Sequence, residues 1–122
     1  MLIGVPKETW PGERRAALVP LTVKKLKNAG FDVKIETGCG DVAGFPDAAY
    51  EEAGASIVSD RTALLGEADI VLRVRKPSEA EVDALKSGCL HVSFLDPFNE
   101  KALVEKLASK GVTAISMEMI PR

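Results

Sequence analysis

Residues 4–20, GVPKETWPGERRAALVP, concentrate side chains that can do chemistry. Arg14 and Arg15 are adjacent, Glu8 and Glu13 lie nearby, and Trp10, the lone tryptophan, sits between the two acids. A guanidinium on a loop can clamp a carboxylate. It can equally pair with a neighbouring acid, and charged surface loops commonly amount to no more than that. The residues by themselves favour this second alternative, with the arginines paired to Glu8 or Glu13. Even so, the segment is long and polar for the first connection of a compact domain. Two more polar segments follow apolar runs: RKP after Val74 and DPFN after Leu95.

The segment ETGCGDVAGF offers a second chemistry. Gly38, Gly40 and Ala43 match the dinucleotide pattern G-x-G-x-x-[GA], and Asp60 stands about twenty residues on, where that pattern expects an acid. The pattern requires a helix to open at the glycines, so that its N-terminus meets the pyrophosphate. Here Gly44 and Pro46 interrupt, and the DAAYEEAG that follows is short and starts late. The glycines are therefore expected to serve a tight strand-to-helix loop.

His91, the one histidine, lies in CLHVSFL. Alternation puts Leu90, Val92 and Phe94 on one face and His91, Ser93 and Leu95 on the other. No Asp or Cys is identifiable as its partner, so a hydrogen-bonded structural histidine is expected rather than an acid or base. Cys39 and Cys89 stand far apart with no CxxC motif, which fits neither a zinc site nor a disulfide scaffold. No Ser–His–Asp set, HExxH or Walker sequence is present, and no metal site is expected.

The elements that must position these groups are legible as alternating patterns. Short runs rich in Val and Ile, at residues 2–5, 33–36, 56–58, 70–74, 90–95 and 112–117, read as strands. Residues 22–29 read as a helix with Thr22 as N-cap and Gly30 as stop. Shorter helices are expected at 48–53, 61–67 and 79–86. The clearest helix is 99–110, capped by Asn99 and ended by Gly111, with Ala102, Leu103, Leu107 and Ala108 on one face. The alternation predicts an α/β fold: a mostly parallel, Rossmann/flavodoxin-like sheet with helices on both faces. Ligands of such sheets gather at the carboxyl ends of the strands. The opening loop, RKP and DPFN all fall there.

At 122 residues the chain is one domain or part of a larger one. A formal charge of −2 argues against nucleic acid as the default partner. No apolar run approaches the length of a membrane span, and MLIGVPKET lacks the basic start and apolar stretch of a secretory signal. The cysteine usage fits a reduced cytoplasm.

Taken together, GVPKETWPGERRAALVPLTVKKLKNAG resembles the N-terminal signature of the alanine dehydrogenase and pyridine nucleotide transhydrogenase family. Gly4, Pro6, Glu8, Glu13, Arg15, Pro20, Val23, Leu26 and Gly30 fit that pattern, while Gly12, Ala16 and Val19 depart mildly from it. ETGCGDVAGFPDAAYEEAGASIV and VTAISMEMIPR are similarly typical of the family, and the resemblance spans the whole chain. It implies two α/β domains with a cleft between them, the second a Rossmann domain that binds NAD(H). Residues 1–122 would form the first part of the N-terminal domain, and the nucleotide-binding Rossmann domain is absent from this chain.

The resemblance also points to cleft residues. Alanine dehydrogenases bind pyruvate with an arginine that falls on Arg15 and a lysine that falls on Arg75. Their histidine falls on Asp96. Arginine is a poor substitute for a compact ammonium, and aspartate is no acid at neutral pH without a large shift. VSFLDPFN and SMEMIPR look more like the transhydrogenase branch. That branch implies hydride transfer between NAD(H) and NADP(H) in the full enzyme, coupled to proton translocation, with neither nucleotide bound tightly by this chain. It further implies a homodimer, membrane-embedded and NADP-binding partner subunits, and a cytoplasmic location peripheral to the inner membrane. Two alternatives stand beside it: part of an alanine dehydrogenase-like amino-acid dehydrogenase, and a non-catalytic binding or assembly module.

Overall fold

Val- and Ile-rich segments pair in parallel throughout the computed structural model, which describes residues 1–120. The strands are β1 (Leu2–Val5), β2 (Asp32–Glu36), β3 (Ser56–Val58), β4 (Ile70–Arg75), β5 (Leu90–Phe94) and β6 (Thr113–Ser116). Five helices connect them: α1 (Pro20–Asn28), α2 (Asp47–Glu52), α3 (Arg61–Glu67), α4 (Glu79–Ala84) and α5 (Lys101–Ser109). The spatial order is β3-β2-β1-β4-β5-β6, so the direction of winding reverses between β1 and β4. This is the doubly wound arrangement expected from the alternation.

Each face of the sheet carries its own apolar cluster. On one, Val23 of α1 and Tyr50 of α2 pack against Ile3, Val5, Val33 and Ile35. On the other, Leu65, Val82, Leu103 and Leu107 from α3, α4 and α5 pack against Val71, Cys89 and Leu95. β1 and α3 approach so closely that a Cβ on Gly4 would stand 2.8 Å from Cβ of Ala68. In β5, His91 and Ser93 are fully buried, Leu90 and Val92 are half-buried and Phe94 is exposed, which is the partition that alternation requires.

Several boundaries differ from the sequence reading, each for a local reason. α1 begins at Pro20, and its N-cap is Val19, which makes no side-chain cap. Thr22 is inside the helix, because the fixed φ of Pro20 already starts the first turn. α5 begins at Lys101: Asn99 turns its side chain back to Asp96 instead of capping, with Nδ2 donating to Oδ1 at 3.0 Å. Leu103 and Leu107 are buried as expected, but Ala102 and Ala108 are exposed. α4 stops at Ala84 because Leu85 turns to extended backbone and enters the core. The strands shift by a residue at some ends, and residues 121 and 122 of the closing motif lie outside those described.

Candidate functional site: a charged cleft at the carboxyl edge of the sheet

The opening loop, residues 6–19, is docked on the carboxyl edge of the sheet through Glu8. Glu8 accepts the backbone N–H groups of Val74 and Arg75, both at 2.9 Å, and so takes over the donors at the end of β4. The β4–β5 pairing is irregular between Leu72 and Arg75, where the loop has inserted this acid. Glu13 gathers the guanidinium groups. It accepts the Arg15 N–H, Nε and Nη2 at 2.9 Å each, and Arg75 Nε at 2.8 Å. The arginine beside it, Arg15, holds the Glu13 carboxyl far below the usual carboxylate range, with Arg75 adding to the effect. The pairing with Glu13 in turn raises the pKa of Arg15.

Aromatic rings flank this cluster. The Arg15 guanidinium lies 5.9 Å from the centroid of Phe94, and that of Arg75 lies 5.6 Å from Trp10. Lys76 Nζ sits over the same indole at 5.5 Å. Lys76 donates to Glu100 at 2.6 Å and stands 3.6 Å from Asp96, and the Glu100 hydrogen bond chiefly raises its pKa. Asp96 has φ +53, in the left-handed region that Asp tolerates better than most residues. Its N–H donates to Glu118, and Asn99 and Glu100 donate their N–H groups to its carbonyl.

Arg15 and Arg75, two of the three residues expected in the cleft, thus meet on one carboxylate. Asp96 joins them only through Lys76, the neighbour of Arg75. A cavity of about 460 Å³ opens between the opening loop, the end of β4 and the starts of α4 and α5, lined by Glu8, Trp10, Arg73, Arg75, Lys76 and Glu100 among others. It sits where the strand order reverses, the place that ligands of such sheets occupy. Arg15 lies instead on a smaller hollow of about 260 Å³ with Leu72, Val92, Phe94 and Met117.

One group of residues escaped the sequence reading. Glu36, Arg61, Glu81 and Arg73 form an alternating ladder: Arg61 lies 2.9 Å from Glu36 and 3.1 Å from Glu81, which lies 2.9 Å from Arg73. Burial pushes the Glu81 carboxyl up, but its hydrogen bonds with Arg73 and the Ser78 N–H outweigh that and hold it near 2. Arg61 also donates to the carbonyl of Lys7, so the ladder anchors the root of the opening loop. Its only trace in sequence is Arg73, a charge inside the apolar run of β4.

The glycine segment behaves as the interruption by Gly44 and Pro46 implies. Residues 37–44 form successive turns, and α2 starts only at Asp47. Gly40 is packed so tightly that a Cβ would meet Tyr50 at 2.5 Å. Asp60 caps α3 by accepting the N–H of Ala63. His91 corrects one expectation: it is buried, yet neither ring nitrogen has a hydrogen-bond partner, and the Ser93 hydroxyl beside it has none either. Burial, and then the nearby Arg73 charge, lower its pKa to about 4. Both cysteines are buried free thiols, and no group of metal ligands occurs among the described residues.

A family profile described as alanine dehydrogenase/PNT, N-terminal domain, matches residues 4–122. The chain belongs to that family. It is 41% identical over 122 residues to the NAD(P) transhydrogenase subunit alpha of Cereibacter sphaeroides, covering all of this chain and 23% of that protein. It is 42% identical over 120 residues to alanine dehydrogenase 1 of Staphylococcus aureus, covering 98% of this chain and 32% of that enzyme. The crystal structure of transhydrogenase from Sinorhizobium meliloti superposes with a TM-score of 0.94 at 37% identity, over 100% of this chain and 36% of that one. The chain spans about a quarter to a third of the length of these relatives. Overall identity does not separate the two branches of the alanine dehydrogenase/PNT family, so the cleft residues must.

Proposed function

We propose that this chain forms the first part of the N-terminal domain of a transhydrogenase alpha subunit, where it builds one wall of the nucleotide cleft. The chemistry is hydride transfer between NAD(H) and NADP(H), coupled in the full enzyme to proton movement through membrane-embedded partner subunits. The nicotinamide rings carry that chemistry, and the protein contributes orientation and electrostatics. Among the described residues no helix is long and apolar enough to cross a membrane.

The observation that carries this reading is the state of the cationic residues. An amino-acid dehydrogenase needs a free cation for the substrate carboxylate and an acid-base group next to it. Here the side-on edge of Arg15 is already filled by Glu13, and Arg75 is tied to the same carboxylate. Asp96 stands where the resemblance sets a histidine, with its carboxylate 3.6 Å from Lys76. The cluster reads as a finished surface rather than a substrate clamp.

The test is a pair of assays on the full-length protein that carries this chain. Hydride exchange between NADPH and an NAD analogue, measured with the NADP-binding partner present, is the expected activity. Alanine-dependent reduction of NAD is expected to be undetectable. Turnover with alanine at an ordinary enzyme rate, about 1 per second or faster, would sink the assignment.

A further inference from the structure

Glu13 is an enclosed anion between two more exposed cations. Its side chain is 3% exposed, against 61% for Arg15 and 43% for Arg75. Four N–H donors converge on it, three from Arg15 and one from Arg75. The Arg15 contact uses Nε and Nη2 together, which fixes the plane of that guanidinium as well as its position. The Arg75 contact uses Nε, leaving that guanidinium stacked on Trp10.

We infer that Glu13 is the positioning residue of the cleft rim, setting Arg15 against Phe94 and Arg75 against Trp10 in one rigid arrangement. The inference rests on reading the loop as a cleft wall. Neither arginine is buried deeply enough for packing alone to hold it, and an untethered surface arginine samples many rotamers. The loop backbone has separate anchors. Glu8 binds the N–H groups of Val74 and Arg75, Glu36 accepts the N–H of Lys7 at 2.7 Å, and Arg61 donates to the Lys7 carbonyl. Losing the Glu13 carboxylate should therefore free two side chains without undocking the loop. Lys76, the other cation over Trp10, is held independently by Glu100.

The experiment uses the 122-residue chain with Glu13→Ala, Glu13→Asp and Glu100→Gln. Two readouts are followed: solvent exchange of the Arg15 and Arg75 Nε–H protons by NMR, and acrylamide quenching of Trp10, the lone tryptophan. In Glu13→Ala both Nε–H protons should exchange about tenfold faster or more, as expected when a charge-assisted hydrogen bond is lost. Trp10 quenching should rise, while the Val74 and Arg75 backbone amides keep their protection. Glu13→Asp restores the charge on a shorter arm and should recover part of the protection. Glu100→Gln should leave both Nε–H protons unchanged. Wild-type exchange at both arginines in a folded Glu13→Ala chain would overturn the inference. So would unfolding of that variant, or loss of the Val74 and Arg75 amide protection, since Glu13 would then hold the fold rather than two side chains. None of these readouts depends on hydride transfer, so they separate this inference from the assignment above.

Discussion

Arg14 and Arg15 are chemically identical neighbours, and the structure gives them different work. Arg15 makes three hydrogen bonds to Glu13 and lies over Phe94, whereas Arg14 is exposed. Arg15→Ala is expected to cost about 1 kcal/mol in stability, kept small by solvent screening, and Arg14→Ala within about 0.5 kcal/mol of nothing. In the full-length protein, turnover should fall further for Arg15→Ala than for Arg14→Ala. Equal, negligible effects would return the loop to a merely solvated surface. His91 supports a second prediction at this scale. Its pKa of about 4 lies below the ordinary 6.5, so the unfolded chain takes up a proton before the folded one does. Stability from this group is complete above pH 6.5 and is lost as pH falls toward 4, by about 3 kcal/mol. The depressed Glu13 and Glu81 act in the same direction, but only as pH falls into the ordinary carboxylate range and below it. Urea midpoints at pH 7.5 and 5 should therefore differ in the wild type and converge in His91→Phe. As the one imidazole, His91 should show no NMR titration near pH 6.5.

At the scale of elements, the tightest constraint is the crossing of β1 and α3. Gly4→Ala would drive a Cβ to 2.8 Å from Ala68 and 3.1 Å from Leu64 Cδ1. Ala68 has no rotamer to move, so the helix itself must shift, at a cost of about 1–3 kcal/mol. Chemical denaturation checks this, and an unchanged midpoint would mean that α3 slides freely on the sheet. The elements themselves were legible in the sequence because apolar alternation and turn glycines act locally. Their ends were less so, since Pro20 overrode Thr22 as a helix start and Asp96 claimed the side chain of Asn99. The candidate site was legible only in part. Arg15, Arg75 and Asp96 could be named from resemblance, and Glu13 as a partner for the arginines. The ladder of Glu36, Arg61, Glu81 and Arg73 could not, because its members come from four separate elements that only the doubly wound topology brings together. The orphaned nitrogens of His91 were equally invisible: alternation reports burial, not what lies opposite a side chain.

For the molecule as a whole, the decisive question is what the chain can bind unaided. Dinucleotide affinity in doubly wound folds rests on a glycine turn opening a helix whose N-terminus meets the pyrophosphate. The one glycine cluster here runs through turns before α2 begins at Asp47, a six-residue helix whose first side chain is a carboxylate. That Asp47 accepts from Thr37 at 2.6 Å and from the Gly38 N–H at 2.9 Å, so these two donors at the start of the cluster are already engaged. At the carboxyl edge, Arg15 and Arg75 share Glu13, and Lys76 is paired with Glu100. Any phosphate arriving there must compete with these acids, and an exposed charged contact contributes only about 0–1 kcal/mol. Micromolar binding requires about 8 kcal/mol. The 122-residue chain is therefore expected to fold but to bind NADH weakly, with a dissociation constant of about 1 mM or weaker, and to catalyse no hydride transfer by itself. Isothermal titration of the chain with NADH measures this directly. A dissociation constant in the low micromolar range would show that the edge cluster or the glycine segment grips the nucleotide, and that the cleft wall is a binding site in its own right.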